Sequence, residues 1–156
     1  MSCDLPLKIR KGDDGSQAMV GNFACYCLFS TKDPHRVYTG YTNNFARRLK
    51  EHNTSSKGAK HTHEGRPYVP LIIVSGFKTR KEALRFEKNM KKRRCSKRTY
   101  GVLGRMSTLL VNLRRKDWKG KQLRVLCKFR MERLQQMCKP KDKEIKSEFV
   151  FSPFTQ

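Results

Sequence analysis

Residues 22–52 read NFACYCLFSTKDPHRVYTGYTNNFARRLKEH, and the succession of compositions in this stretch decides the fold. Phe23 to Phe29 is an apolar and aromatic run, STKDPH supplies turn chemistry, and Arg36 to Tyr41 resumes β-type composition, so a hairpin is predicted. Thr42 or Asn43 can then cap a helix over about residues 44–53. In that helix Phe45 and Leu49 stand one turn apart, while Arg48 and His52 form a second i, i+4 pair on the neighbouring stripe. Two polar groups therefore point the same way.

Outward from this stretch, residues 54–68 (TSSKGAKHTHEGRPY) are polar, basic and Gly-containing, which predicts a mobile loop and a candidate substrate clamp. Residues 69–75 (VPLIIVS) have the length and composition of a central strand, with Pro70 confined to its start or edge and Gly76 ending it. Thr79-Arg80-Lys81-Glu82 matches a capping box, announcing a helix through Glu87 and Met90 that precedes the charge block KKRRCSKR at 91–98. A third helix over about 100–113 carries Val102, Leu103, Met106, Leu109, Leu110 and Leu113 on a wide apolar stripe and should pack on the sheet. Past Trp118, QLRVLC can form a late strand, and FRMERLQQM has weak helical character. The expected fold is α/β of the α+β kind: a small mixed sheet of about three to four strands flanked by helices. One domain over 22–128 is expected between a flexible basic leader (1–21) and a basic C-terminal extension (129–156), whose last fifteen or so residues are expected to be poorly ordered.

Thirty-six Lys and Arg against thirteen Asp and Glu leave a net charge of +23, which repels itself unless a polyanion is near. Nucleic acid is the leading partner. Membrane surfaces and acidic proteins also attract such charge, but here basic residues run through the whole chain and interleave with aromatics, unlike a juxtamembrane cluster. The start MSCDLPLKIRKGDDG lacks the apolar core of a signal peptide, and no apolar run approaches the roughly twenty residues of a bilayer span, so a soluble intracellular protein is expected. Its six cysteines should then stay reduced. Cys25 and Cys27 share a strand face and are expected as core filler rather than half of a zinc site.

Glu87 is the most informative single residue, because at 100° per residue it falls between Ala83, Leu84, Phe86 and Met90, within the face the helix should bury. A salt bridge to a neighbouring Arg or Lys explains a carboxylate there; so does a Mg²⁺ site, since Mg²⁺ takes only one or two protein carboxylates and completes its shell with water and phosphate. Arg48 is either a solvated helix charge or a bidentate clamp on a phosphate oxygen. Tyr26 and Tyr38 are either amphipathic core residues or proton-transfer groups, the latter only where a cation stabilises the phenolate.

Taken in order, these residues resemble the GIY-YIG nuclease family. Ala24-Cys25-Tyr26 stands where Gly-Ile-Tyr is expected and Tyr38-Thr39-Gly40 where Tyr-Ile-Gly is, followed by Thr42, Asn44, Arg48, Leu49, His52 and Glu87. Val37 to Thr42, Ala46-Arg47-Arg48, His52-Asn53, Ser75-Gly76-Phe77, Ala83 to Glu87 and Trp118 are similar to the branch containing the catalytic subunit of the eukaryotic SLX structure-specific nuclease. The resemblance spans about residues 22–128. It implies that the two tyrosines, the Arg, the His and the Glu converge on one concave face. In those roles Glu87 holds Mg²⁺ or Mn²⁺, Arg48 grips phosphate, Tyr38 helps deprotonate the attacking water, and Tyr26 and His52 position water or phosphate. The implied reaction is metal-dependent hydrolysis of one phosphodiester bond in branched DNA (flaps, forks or junctions), in repair or recombination.

The zinc-binding module of the SLX subunit, which docks a scaffold protein, has no counterpart in 129–156, where Cys138 is the only Cys or His. Dependence on a scaffold partner is therefore not expected, and the basic tails can bind DNA in its place. Arg47, Lys50, Lys60, Arg85, Lys91, Lys92, Arg93 and Arg94 are the candidate nucleic-acid contacts. The block at 91–98 also fits a nuclear import signal, giving a nuclear location in a eukaryote; a viral origin fits equally. The competing class is a non-catalytic DNA- or RNA-binding protein on the same scaffold.

Overall fold

The computed structural model describes residues 23–54, 56, 59–92 and 101–128, with short strands at 10–11, 17–18 and 150–153. Within the leader, β1 (Arg10–Lys11) and β2 (Gln17–Ala18) form a separate antiparallel pair. The expected hairpin is present as β3 (Phe23–Ser30) and β4 (Val37–Thr42). Helix α1 (Phe45–Thr54) follows, then β5 (Tyr68–Phe77), α2 (Arg80–Lys91), α3 (Gly101–Leu113), β6 (Arg124–Cys127) and β7 (Val150–Pro153). The sheet order is β4-β3-β5-β6-β7, antiparallel except for the parallel β6-β7 pair. The mixed sheet thus gains a strand from the C-terminal extension, where poor order is expected. The FRMERLQQM helix and the block from Arg93 to Arg98 lie outside the described residues.

Alternation along β3 divides the core in two. Cys25 and Cys27 face α2 and α3, packing with Ile72, Val74, Phe86, Met106 and Leu109. Ala24, Tyr26 and Leu28 face α1, packing with Phe45, Tyr68 and Ile73. Two one-residue bulges in β5 set this parity. Gly76 is the extra residue between the Phe23–Phe77 and Ala24–Ser75 pairs, and Leu71 between Cys27–Ile72 and Leu28–Pro70. Gly76 therefore sits inside the strand rather than ending it; its φ is +98°, and a Cβ there would lie 2.4 Å from the Gln122 carbonyl oxygen. The Leu71 bulge puts Leu71 and Ile72 on the α2 side together and returns Tyr68 to the α1 side. Pro70 is tolerated in this central strand because it lies beside the bulge, outside the Ile72–Ser75 stretch paired to β6.

Helix starts follow local chemistry with small displacements. Asn44, rather than Thr42 or Asn43, caps α1: its Oδ1 accepts from the Arg47 amide at 3.0 Å, while Thr42 Oγ1 accepts from the Asn44 amide and holds the preceding turn. Thr79 caps α2 as expected, accepting from Glu82 N at 3.2 Å, but the Glu82 carboxylate reaches back one residue further, to Lys78 N. Met106, Leu109, Leu110 and Leu113 of α3 are buried, whereas Leu103 is 48% exposed. Trp118 is buried against Phe77 and Phe86, and its indole N–H donates to Asn112 Oδ1 at 3.2 Å, so the burial leaves no indole donor unpaired.

Candidate active site

Four of the five expected groups meet on the α1 face. Leu28 pairs with Tyr38 and Tyr26 with Gly40 across the hairpin, so Tyr38 and Gly40 share the face of Tyr26. Gly40 leaves room for the phenol: a Cβ there would lie 2.6 Å from Tyr26 Oη. The i, i+4 spacing on α1 delivers Arg48 and His52 to the same place. His52 Nε2 is 2.8 Å from Tyr26 Oη, Arg48 Nε donates to Tyr26 Oη at 3.3 Å, and the Tyr38 and His52 ring centroids are 4.6 Å apart. Tyr26 and His52 are buried, whereas Tyr38 and Arg48 are half-buried and reachable from solvent.

The electrostatics follow from this packing. Burial, reinforced by the Arg48 cation, lowers the His52 pKa to about 4, so the ring is neutral at pH 7. Burial likewise raises the Tyr26 phenol above its ordinary value, against the opposing hydrogen bond from Arg48. For Arg48 itself burial works downward, but hydrogen bonds to Glu51, Tyr26 and Tyr38 outweigh it and hold the guanidinium above its ordinary value. Glu51 is the counter-ion: its Oε2 accepts from Arg48 Nη1 at 2.7 Å, which lowers its carboxyl pKa. Glu51 went unnoticed in the sequence, although its i, i+3 spacing from Arg48 was a usable signal.

The described part of the segment after α1 holds a regular turn where a mobile loop is expected. A 3-10 turn at Lys60–Thr62 buries Thr62, whose Oγ1 lies 3.1 Å from His52 Nδ1 and donates to the Ala59 carbonyl at 2.8 Å. Arg66 Nε donates to the His52 carbonyl at 2.6 Å, and Ser30 Oγ donates to the Gly65 carbonyl at 2.5 Å. The described part of this loop is a cradle under His52. His61 and His63 point outward and are exposed.

Glu87 is placed differently. It sits on α2, which packs on the other face of the sheet, and its Oε1 accepts from Lys91 Nζ at 2.7 Å with 13% of the side chain exposed. The two faces meet at β4, the edge strand, where Arg80 at the start of α2 donates to the Tyr41 hydroxyl at 2.7 Å. Among the described residues no group of three or more His, Cys, Asp or Glu is clustered. A single hard carboxylate, largely buried and paired with the exposed Lys91 ammonium, nevertheless fits the minimal protein share of a hydrated Mg²⁺ or Mn²⁺ site. Cys25 and Cys27 are core thiols whose pKa values burial raises.

The basic candidates divide between the faces. Arg47, Lys50 and Lys60 are exposed on the α1 side; Arg85, Lys91 and Lys92 are exposed on α2, with Arg85 3.7 Å from Asp117. Arg93 and Arg94 lie outside the described residues. No described helix is long and apolar enough to cross a membrane.

A hairpin, an Arg- and His-bearing helix, a third strand and a Glu-bearing helix, in this order, define a catalytic-domain scaffold of the GIY-YIG type. Residues 22–100 match the GIY-YIG catalytic domain, and the chain belongs to that family. Over 70 residues it is 44% identical to the structure-specific endonuclease subunit SLX1 homolog of Giardia intestinalis, covering 43% of this chain and 20% of that protein. It is 39% identical over 98 residues to structure-specific endonuclease subunit slx1 of Talaromyces marneffei, covering 61% of this chain and 24% of that protein. A similar likeness, 42% over 74 residues, links it to uncharacterized protein L300 of Acanthamoeba polyphaga mimivirus, covering 46% of this chain and 43% of that protein. The chain thus spans less than half the length of each of these relatives.

Proposed function

We propose that this chain is a divalent-metal-dependent endonuclease that hydrolyses phosphodiester bonds in branched DNA. The observation that carries the reading is the Arg48 guanidinium, half-exposed, held by Tyr26 and flanked by Tyr38. A non-bridging phosphate oxygen would exchange with Glu51 for this guanidinium, which then offsets charge that builds in the transition state. Tyr38 is the group with solvent access beside the Arg48 cation, so it takes up the proton of the attacking water as it passes its own phenolic proton to solvent. The water oxygen bonds to phosphorus as the bond to the leaving ester oxygen breaks, and that oxygen is protonated from solvent. Tyr26 is buried with its pKa raised, which suits it to holding Arg48 rather than accepting a proton. Glu87 would hold Mg²⁺ or Mn²⁺, which as a Lewis acid polarises the phosphate.

Because Arg48 and Glu87 approach from opposite faces, the substrate backbone is proposed to lie across the β4 edge. There Arg47, Lys50 and Lys60 meet it from one side and Arg85, Lys91 and Lys92 from the other. The names of the SLX relatives, structure-specific endonuclease subunits, support a substrate selected by its structure, for which we propose branched DNA. The test is cleavage of labelled flap, fork, four-way junction and plain duplex DNA with Mg²⁺, Mn²⁺ or EDTA, comparing the intact protein with Glu87→Gln. Metal-dependent cutting of branched substrates, lost in the variant while binding persists, is the expected result. Binding of all four without cutting under any metal would overturn the proposal in favour of a binding protein.

A further inference from the structure

We infer that Thr62, a loop residue that touches no substrate, sets the tautomer of His52 and through it the orientation in which Tyr26 presents Arg48. The argument is a count of protons. A threonine hydroxyl has one hydrogen, and we assign that of Thr62 to the nearer of its two partners, the Ala59 carbonyl at 2.8 Å, which can only accept. At 3.1 Å from His52 Nδ1 the Thr62 oxygen can therefore only accept, so Nδ1 carries the proton. His52 is neutral at pH 7, which leaves Nε2 bare. The Tyr26 hydroxyl at 2.8 Å must then donate into Nε2, which turns its lone pairs toward Arg48 Nε at 3.3 Å. Every bond from the Ala59 carbonyl to the guanidinium thus has a fixed sense.

Reversing the first link reverses the rest. With the proton on Nε2, His52 would donate to Tyr26, and the phenolic hydrogen would have to turn away from His52, toward the space that Arg48 Nε–H occupies. All three intermediaries, Thr62, His52 and Tyr26, are buried, so water is a poor substitute for a lost partner. Thr62 is a positioning residue in this scheme. Only the link to phosphate binding rests on the proposed nuclease activity; the tautomer assignment stands apart from it.

The test is a long-range ¹H–¹⁵N correlation spectrum of the full chain at pH 7, with the His52 signals assigned by His52→Gln. The wild type should show protonated Nδ1 and bare Nε2, Thr62→Ser should retain that pattern, and Thr62→Val should lose it. Single-turnover cleavage of the best branched substrate should fall about tenfold in Thr62→Val, the order expected for one misdirected hydrogen bond, with near-complete recovery in Thr62→Ser. A wild-type spectrum with protonated Nε2, or an unchanged spectrum in Thr62→Val, overturns the inference. Should Thr62→Val fail to fold, the wild-type spectrum alone decides. The expected spectra without cleavage by any protein would uphold the tautomer assignment and sink the nuclease reading instead.

Discussion

The two faces of one sheet are built from different materials although they share the same strands. On the α2 and α3 side, β3 contributes Cys25 and Cys27 to a core closed by Phe77, Phe86 and Trp118. On the α1 side the intervening residue, Tyr26, enters a chain of hydrogen bonds through His52 and Thr62 in one direction and Arg48 and Glu51 in the other. The difference teaches where stability and chemistry are kept. Apolar packing is nondirectional and tolerates no vacancy, whereas the polar face depends on donor and acceptor sense and is supported by strands it does not itself have to stabilise.

Substitutions should separate the two. Trp118→Ala should cost about 3–5 kcal/mol of stability through the cavity it leaves, read as a fall in denaturation midpoint. Arg48→Ala should reduce single-turnover cleavage about 10²–10³-fold with the denaturation midpoint almost unmoved; a large loss of stability instead would erase the contrast drawn between the faces.

Acid should attack the polar face selectively. His52 has a folded pKa of about 4 against an ordinary 6.5, so between these values the unfolded chain binds more protons than the folded one. Stability attributable to this residue is full above about pH 6.5 and is lost as pH falls toward 4, by about 3 kcal/mol in all. Denaturant titrations of the wild type and His52→Gln across that range should converge at low pH; parallel curves would locate the acid sensitivity elsewhere. The smallest effect expected is that of Thr79→Ala, about 1 kcal/mol from the lost α2 cap, with cleavage unchanged. A marked loss of activity there would mean that the placement of Glu87 depends on the start of its helix.

Much of this was legible in the chain. Apolar and aromatic runs of strand length, bounded by turn residues, located β3, β4 and β5, and i, i+4 spacing brought Arg48 and His52 to one side, because both signals are local. Which sheet face a helix covers is not local. The sequence placed Glu87 on the buried side of α2 but could not show that α2 lies across the sheet from α1. Thr62 was hidden for another reason: its contact with His52 is made by a loop without periodicity. The α1 cap was ambiguous because Thr42, Asn43 and Asn44 are all capping residues in succession. Val150–Pro153 is too short, and ends in a residue too unfavourable to strands, to announce β7.

The paired bulges in β5 bear on how this gene can change. Substituting Leu71 alters the volume of one side chain and should have a graded effect. Deleting its codon removes the extra residue and leaves four positions between Tyr68 and Ile73, an even number that a regular strand also places on one face. Tyr68, with the Asn53 contacts that tie the end of α1 to this strand, would then stay on the α1 side, and what is lost is the local kink of the bulge. Along this strand, lineages should gain or lose a residue only together with a bulge, so that Tyr68 and Ile73 keep a common face.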